Sequence, residues 1–567
     1  MVTASGYANG DDVFLAWALP HTSGCWGFAI HREVTTAAGK TFAGFIHNFV
    51  GFADDHPAPH SHRPSSEWPF QRYTWTDHGV DEGDTATYTI YPVLKGPGEA
   101  APRPAETGAT VGPITVTGSA GHDVHAFFNR GILLSQFMSK RLPENFTTAD
   151  LKKLKKDLEA DDSELRAFLT GQLGARLIRL LNDAATKGLE IYAALYELDD
   201  PVLIEALARL GQKAHVILAN GSDAHGDGNA TADSELRTKI DLVRRMLDGK
   251  GLGHNKFLVL AESEDKPLAV WTGSTNWATT GLCTQMQNAI LVENEELARV
   301  YLAQWKLLRD DHTPGPDGKD VHWNAPLMDS NDVPKPDDGG AGPWTVWFTR
   351  TRHRQDLEAA SQLIRDAEHA ILFLMFDPGT DGLLQVIQPR VSEPALYVHG
   401  VVNTIRQPAP GDKKVEVELV GPENHPAFDL EVVEPDGIKD LPGWATEVTR
   451  RDFIGDPQHP VIGHAIVHSK CIVLDPFTNP IVITGSHNFS TRASHNNDEN
   501  LIILRNGLLA ERYAVNIMST YQHYRWRKYV KDSLAAGKKP WDGLTKGDSW
   551  QPIDPMARPE ARFWVRP

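Results

Sequence analysis

The chain is poor in cysteine: Cys25, Cys283 and Cys471 are the only three in 567 residues, far apart and without CxxC spacing. Three thiols cannot all pair within one chain, which speaks against a disulfide scaffold and fits a reducing compartment. It also lacks a long apolar run. No stretch approaches the roughly 20 residues that a membrane-spanning helix needs, and Met1-Val-Thr-Ala-Ser-Gly-Tyr7 has neither a basic nor an apolar leader region. A soluble, cytoplasmic protein is expected, although a secreted protein numbered from its mature start would look the same. Positive charge is scarce as well. Lys and Arg number 56 against 74 Asp and Glu, a net −18, so a polyanion or anionic membrane meets average repulsion unless basic residues gather at one mouth. What is present is an ordinary globular composition, 41% hydrophobic and 23% charged. The length suits roughly three or four domains.

The first 117 residues show short β-prone runs, such as Val13-Phe-Leu-Ala-Trp17 and Phe28-Ala-Ile-His31, separated by Gly, Pro and Asp. That pattern predicts a small all-β sandwich. Tyr73-Thr-Trp-Thr-Asp77 followed by Gly83-Asp-Thr-Ala-Thr-Tyr88 resembles the late strands of a fibronectin type III domain, a module that serves as spacer or binding surface. From Gly121 onward helices and strands alternate. Leu151–Ala184 has helical periodicity, Leu189–Tyr196 reads as a strand, and a helix over 200–210 leads to the strand His215–Ala219. The order returns with strand Ala370–Phe376, helix Leu383–Ile387 and strand Leu396–Val402. Such alternation predicts an α/β class with mostly parallel central sheets covered by helices. The expected division is a sandwich over 1–117, a first half over 118–312, a Pro/Gly/Asp-rich irregular linker over 313–343, a second half over 344–530, and a polar tail over 531–567 that the sequence does not interpret.

Among 24 histidines only two begin a His-x-Lys triplet: His254-Asn-Lys256 and His468-Ser-Lys470. Each is followed by one of the only two Gly-Ser-x-Asn tetrads, Gly273-Ser274-Thr-Asn276 and Gly485-Ser486-His-Asn488, with two β-prone runs between triplet and tetrad. At the same distance beyond each tetrad serine stand Gln287-Asn288 and Glu499-Asn500, each leading into an apolar strand. This is an internal duplication. If each triplet lies on a strand, His and Lys two apart share a face, placing a nucleophile or proton carrier beside a fixed cation. In-line cleavage of a phosphodiester needs a nucleophile on one side of phosphorus and an acid on the other, with cations and amide donors on the equatorial oxygens. Two histidines, two lysines and two asparagines supply that set without a metal or other cofactor.

The pattern resembles the duplicated His-Lys-Asp motif of the phospholipase D superfamily, over roughly 120–530. The second copy, His468-Ser-Lys470-Cys-Ile-Val-Leu-Asp475, fits fully; the first has Ala261 where the motif Asp, generally structural in the family, is expected. The absent Asp, with Gln in one half and Glu in the other, is similar to the tyrosyl-DNA phosphodiesterase branch. The resemblance implies two phospholipase D-like halves in a pseudo-two-fold arrangement and one shared site. It implies a covalent phosphohistidine on one histidine, with the other acting as general acid and base. The resemblance also implies that each histidine is oriented by a residue from the opposite half, which would pair His254 with Glu499 and His468 with Gln287. A carboxylate stabilises a histidine that gains positive character better than an amide does, which assigns His254 as nucleophile and His468 as acid/base. Lys256, Lys470, Asn276, Asn488, Ser274 and Ser486 are then the expected phosphate-binding and catalytic partners, and Asp475 a structural residue.

The bland readings stand beside these. A single His-x-Lys is expected by chance in a chain with this many histidines; the duplicated constellation is not. His56, His60 and His62 sit among prolines and read as a surface loop rather than a metal site. His122 and His125 read as core or surface residues, His487 and His495 as lining the pocket mouth, Gly249–Gly253 as a flexible entry, and Leu151–Lys156 as a solvated helix face. The leading expectation is phospholipase D-type hydrolysis or transfer on a phospholipid, with transient membrane-surface contact. The alternatives are a nuclease or nucleic-acid end-processing enzyme, and a non-catalytic binding scaffold. With both halves in one chain, a monomer suffices for a complete site.

Overall fold

The computed structural model describes residues 1–56, 61–121, 123–131, 148–221, 227–247, 251–311, 324–340, 342–403, 431–433, 453–456, 459–464, 467–539, 541, 543–551 and 559–566. The N-terminal region is strand-rich, as its short β-prone runs predict. Thr3–Ala8, Val13–Ala18 and Thr74–Asp77 form one sheet, and Ala109–Thr115, Thr85–Leu94, Cys25–Thr35 and Thr41–Phe45 lie side by side in a second. Alternate residues Ala86, Tyr88 and Ile90 turn inward to meet Val13, Leu15, Trp17 and Phe28. The Tyr88 hydroxyl donates to Asp77 Oδ2 at 2.9 Å, and Arg32 pairs with the same carboxylate at 2.9 Å.

This sandwich is fastened to the rest of the chain by the C-terminal tail. Trp564, fully buried in the short helix Pro559–Trp564, packs on Phe14 with centroids 4.6 Å apart, and its carbonyl accepts from Tyr7 Oη at 2.6 Å. Upstream, Trp550 Nε1 donates to the Cys25 carbonyl at 2.9 Å and Thr545 N to Gln71 Oε1 at 2.9 Å. The polar tail is therefore a strap, held by aromatic wedges whose partners lie hundreds of residues away in sequence.

Two seven-stranded sheets follow, with the same strand order. The first runs Val124–Phe128, Asn288–Val292, Lys266–Gly273, Lys256–Ser263, Glu190–Leu195, Ala214–Ala219, Asp241–Arg245. The second runs Trp344–Phe348, Asn500–Leu504, Ile481–Gly485, Cys471–Leu474, Ala370–Met375, Tyr397–Val402, Glu431–Val433. The expectation of mostly parallel sheets is corrected here. In each sheet four of the six pairings are antiparallel and only the last two are parallel. The reason lies in the connections. The motif strands fold back through short turns, as from Lys256–Ser263 into Lys266–Gly273, which permits only antiparallel neighbours; parallel ones need a crossover, here the helices Pro201–Leu210 and Ala230–Leu236.

One face of each sheet contributes to a single shared core, where Phe257, Val270 and Ile290 meet Val346, Val482 and Ile502 with Tyr301, Trp305, Tyr513 and Tyr521 from the helices Glu295–Asp310 and Gly507–Ala535. The opposite faces are covered separately, by Glu164–Lys187 and Pro201–Leu210 on the first sheet and Gln355–Asp366 and Leu383–Ile387 on the second. The 313–343 stretch is not wholly irregular: Ala325–Asn331 is helical, because Asn324 caps it by accepting from Leu327 N and Pro326 suits its first turn, while Leu327 is buried in the shared core. The preceding 313–323 lies outside the described residues. Among the described residues no helix is long and apolar enough to cross a membrane.

Candidate active site

The histidine of each triplet stands before the strand rather than on it, since Lys256 opens Lys256–Ser263 and Lys470 immediately precedes Cys471–Leu474. The shared orientation of His and Lys comes instead from the lysine folding back: Lys256 Nζ donates to the His254 carbonyl at 2.9 Å and Lys470 Nζ to the His468 carbonyl at 2.8 Å. The tetrads end their strands at Gly273 (φ 156°) and Gly485 (φ 131°). A Cβ at these two positions would stand 2.2 Å from the Asn288 carbonyl oxygen and 2.3 Å from that of Asn500, so only glycine permits the close approach. Ser274 and Ser486 are fully buried and accept from the Asn288 and Asn500 amides at 3.0 Å each. The Ser274 hydroxyl also donates to Gln287 Oε1 at 2.7 Å, so it takes part in placing the residue that faces His468.

The two histidines are paired across the sheets. His254 Nδ1 lies 2.8 Å from Glu499 Oε2, and His468 Nδ1 lies 3.0 Å from Gln287 Oε1. Glu499 is itself fixed, its other oxygen accepting from Asn497 Nδ2 at 3.0 Å and its backbone N donating to Thr349 Oγ1 at 3.0 Å. A carboxylate can only accept, so the His254 proton sits on Nδ1 and the lone pair of the neutral ring is left on Nε2. Gln287 Oε1 also accepts from Ser274 Oγ at 2.7 Å, while Gln287 Nε2 donates to Gln285 Oε1 at 3.0 Å, which fixes the amide orientation by its hydrogen bonds.

One aromatic residue completes each pair, and the sequence reading missed both. Tyr196 and Phe376 follow the equivalent strands Glu190–Leu195 and Ala370–Met375; their rings lie 4.6 Å from the His254 ring and 4.5 Å from the His468 ring. Lys256 Nζ stands 4.8 Å over Tyr196 and Lys470 Nζ 5.0 Å over Phe376. Each aromatic is followed by an acid, Glu197 or Asp377. That repeated aromatic-acid step is the signal that was available. Asn276 Nδ2 donates to Glu197 Oε2. Asn488 occupies the equivalent place in the turn after Ile481–Gly485 and is half-buried.

The charges of both triplets act on one another. Burial pushes the His468 imidazole well below its usual range, and Lys470, Lys256 and His254 push it the same way. Burial lowers His254 to about 4, opposed by Glu499 and assisted by Lys256 and Lys470. Lys256 is lowered by burial to about 7, and Lys470 falls well below the usual lysine range through burial and the neighbouring Lys256. Burial alone would raise Glu499, yet His254 and Lys256 hold it below the usual carboxylate range. Both histidines are nearly inaccessible, 4% for His254 and 5% for His468. The result is a buried cluster in which the charged forms of both imidazoles and both ammonium groups are disfavoured, a penalty that an oxyanion would relieve.

Two predictions follow from these shifts. A phosphate-like anion raises the lysine pKa values on binding, so at pH 8, above the free Lys256 value of about 7, tungstate binding takes up protons. Calorimetry in buffers of different ionisation heat reads this directly, and it is diminished in Lys256→Met. Secondly, His254 is lowered from 6.5 to about 4 in the folded chain. The unfolded chain therefore binds the extra proton between those values, and stability falls as pH drops from 6.5 towards 4. Thermal melts of wild type and His254→Asn should converge as pH is lowered through that window.

Asp475 faces away from this cluster. Its carboxylate accepts from the backbone N–H of Glu368 at 2.9 Å and of His369 and Ala370 at 2.7 Å each, clamping the start of Ala370–Met375. Ala261, at the corresponding place in the first sheet, is a buried ladder residue opposite Glu190. Asp475→Ala strands three donors and is expected to cost on the order of 3 kcal/mol, read as a lower denaturation midpoint.

The remaining histidines separate from the site. His487, expected at the pocket mouth, is fully buried with Nε2 3.1 Å from Asp356 Oδ2, because Asp356 at the start of Gln355–Asp366 needs a buried partner. His495 Nδ1 lies 3.1 Å from the Thr351 carbonyl. His125 stands 3.8 Å from Glu293 on the first sheet's edge, and His62 packs near His47 and Phe49; His60 and His122 lie outside the described residues. The entry to His254 is tied down rather than flexible over its described part, with the Leu252 carbonyl accepting from Asp498 N at 2.8 Å. Among the described residues no group of three or more His, Cys, Asp or Glu is arranged to hold a metal ion.

A family model described as "Cardiolipin synthase, PLD-like domain" matches residues 401–520, the stretch holding the second triplet, the second tetrad and Glu499. This part of the chain is thus phospholipase D-like in sequence. Similar solved structures include polyphosphate kinase from Porphyromonas gingivalis, 14% identical with a TM-score of 0.36, covering 74% of this chain and 58% of that one. Phosphatidylserine synthase from Haemophilus influenzae Rd KW20 is 12% identical, with a TM-score of 0.38, covering 64% of this chain and 92% of that one. Yeast tyrosyl-DNA phosphodiesterase is 12% identical, with a TM-score of 0.29 and coverage of 57% and 85%. No curated protein matches the sequence.

Proposed function

We propose that this chain is a metal-independent phosphodiesterase of the phospholipase D superfamily that works through a phosphohistidine on His254. The observation that carries the proposal is the reciprocal pairing of His254 with Glu499 and His468 with Gln287. The two seven-stranded sheets are read as halves in pseudo-two-fold relation around that site. The sandwich is read as fibronectin type III-like on its strand order, one chain is read as sufficient for a complete site, and the compartment is read as cytoplasmic.

In the first step His254 Nε2 attacks phosphorus and the P–O bond to the leaving alcohol breaks, with the alcohol oxygen taking a proton from His468. His468 takes that proton up when the anionic diester enters the site and offsets the neighbouring lysine charges that otherwise keep it neutral. Lys256, Lys470, Asn276 and Asn488 hold the non-bridging oxygens. Glu499 balances the positive charge that His254 gains on forming the N–P bond. In the second step neutral His468 takes a proton from water, the oxygen attacks phosphorus, and the N–P bond breaks to return His254. An alcohol in place of that water gives transfer instead of hydrolysis.

A phospholipid is the preferred substrate; the lipid-synthesising enzyme named by the matched domain description supports that choice. Phosphatidylcholine vesicles, single-stranded DNA and bis(p-nitrophenyl) phosphate, offered side by side in EDTA, test it. The expected result is undiminished cleavage in EDTA with the lipid preferred. Loss of all activity in EDTA would overturn the metal-free mechanism, and preferential cleavage of DNA would move the substrate to nucleic acid.

A further inference from the structure

Asn288 and Asn500 directly follow Gln287 and Glu499, and each reaches into the opposite sheet. Asn288 holds its own tetrad through its backbone: its carbonyl accepts from Ser274 N at 2.9 Å and from Thr275 Oγ1 at 3.1 Å. Its side chain does something else. Asn288 Oδ1 accepts from Lys470 N at 3.2 Å, and Asn288 Nδ2 donates to Thr484 Oγ1 at 2.7 Å and Tyr513 Oη at 3.0 Å. Thr484 Oγ1 in turn donates to the Lys470 carbonyl at 2.9 Å. One amide of the first sheet therefore holds the Lys470 N–H directly and the Lys470 carbonyl only through Thr484, a residue of the second sheet.

Asn500 mirrors this with its amide reversed. Its Oδ1 accepts from Thr272 Oγ1 at 2.8 Å and Tyr301 Oη at 3.1 Å, and its Nδ2 donates to Asn255 Oδ1 at 3.2 Å, the residue between His254 and Lys256. On the first side the orientation has a cause, since the Lys470 N–H can only donate and so meets Asn288 Oδ1. All of these groups are fully or almost fully buried. Buried amides are costly unless satisfied and fix one arrangement when they are.

Resting on the phosphodiesterase reading above, we propose that Asn288 and Asn500, with Thr484, Tyr513, Thr272 and Tyr301, form a reciprocal clasp that positions the catalytic triplets. In it each sheet sets the placement of the other's histidine and lysine. These are positioning residues: they reach the phosphate only through Lys470, His468 and the 254–256 segment. The clasp is also stronger in one direction, since Asn288 and Thr484 hold the Lys470 backbone itself while Asn500 holds only the Asn255 side chain.

The test compares Thr484→Val with Thr484→Ser in the full chain, using bis(p-nitrophenyl) phosphate. Valine keeps the shape and removes the hydroxyl; serine keeps the hydroxyl. A shifted lysine degrades in-line geometry, so Thr484→Val should lower kcat on the order of tenfold to a hundredfold with KM little changed. It should also move the pH profile, and Thr484→Ser should recover most of the loss. Thr272→Val, on the weaker side, should lose less. A folded Thr484→Val enzyme with unaltered kcat and pH profile overturns the clasp. Equal losses in the valine and serine variants overturn it too, because they would assign Thr484 to packing alone. If Thr484→Val does not fold, Tyr513→Phe removes one contact of Asn288 and must show the same kcat loss at unchanged KM. His468→Ala run in parallel separates the two ideas: if it retains full turnover the phosphodiesterase reading fails, whatever Thr484 does.

Discussion

Alanine in place of His254 is expected to lower turnover by about 10⁴-fold or more for every substrate, while His468→Ala discriminates between leaving groups. The difference follows from their assigned roles. Without His254 Nε2 there is no atom to form the N–P bond, so neither a good nor a poor leaving group helps. Without His468 the first step still proceeds when the departing oxygen needs no proton, as with p-nitrophenolate. The second step stalls because nothing activates water. His468→Ala should therefore release about one equivalent of p-nitrophenol in a rapid burst and then almost none, and should not cleave a simple alkyl diester. Stopped-flow absorbance measures both. A burst in His254→Ala and none in His468→Ala would exchange the two roles.

Glu499→Gln is expected to reduce kcat on the order of a hundredfold, with the deficit independent of pH between about 5 and 8. Burial already keeps His254 neutral, and it is lowered to about 4 even with Glu499 beside it. Removing the carboxylate takes away a raising influence, so the ring stays neutral and nucleophilic throughout that range. What is lost is the balancing charge for the cationic phosphohistidine. A deficit that vanished at high pH would mean that Glu499 controls protonation of the nucleophile instead. The converse change, Gln287→Glu, places a carboxylate 3.0 Å from His468 Nδ1 by the present geometry. It should raise the His468 pKa and shift the acid-dependent limb of the profile upward, with a smaller change in kcat.

The central constellation was legible because it is written twice. Two triplets, two tetrads and the matching Gln287-Asn288 and Glu499-Asn500 steps stand at repeated intervals, and a repeat in residues that carry chemistry is hard to obtain from packing alone. Strand direction was less legible. The runs Phe257–Leu260 and Leu268–Thr272 show β-propensity, but a short polar turn between apolar runs does not by itself outweigh the βαβ alternation around it, and the hairpins prevailed. Asp241–Arg245 was missed as a strand because its mixed charges suit a sheet edge and break the apolar pattern. Contacts across the two sheets were invisible for a different reason. Thr272, Tyr301, Thr484 and Tyr513 are ordinary strand and helix residues until tertiary structure brings the opposite asparagine to them. The interval from 288 to 500 is the same as from 272 to 484 and from 301 to 513, so the pairing left a trace that only the structure made meaningful. Tail residues such as Trp564 were opaque because their partners, Tyr7 and Phe14, lie at the other end of the chain.

The most direct measurement is the identity of the phosphorylated residue. His468→Ala enzyme, mixed with bis(p-nitrophenyl) phosphate, quenched without acid and digested, should yield one modified peptide by mass spectrometry, carrying a p-nitrophenyl phosphoryl group on His254. A phosphoryl group found on a serine, a lysine or any other histidine, or a burst with no covalent adduct at all, would contradict the account.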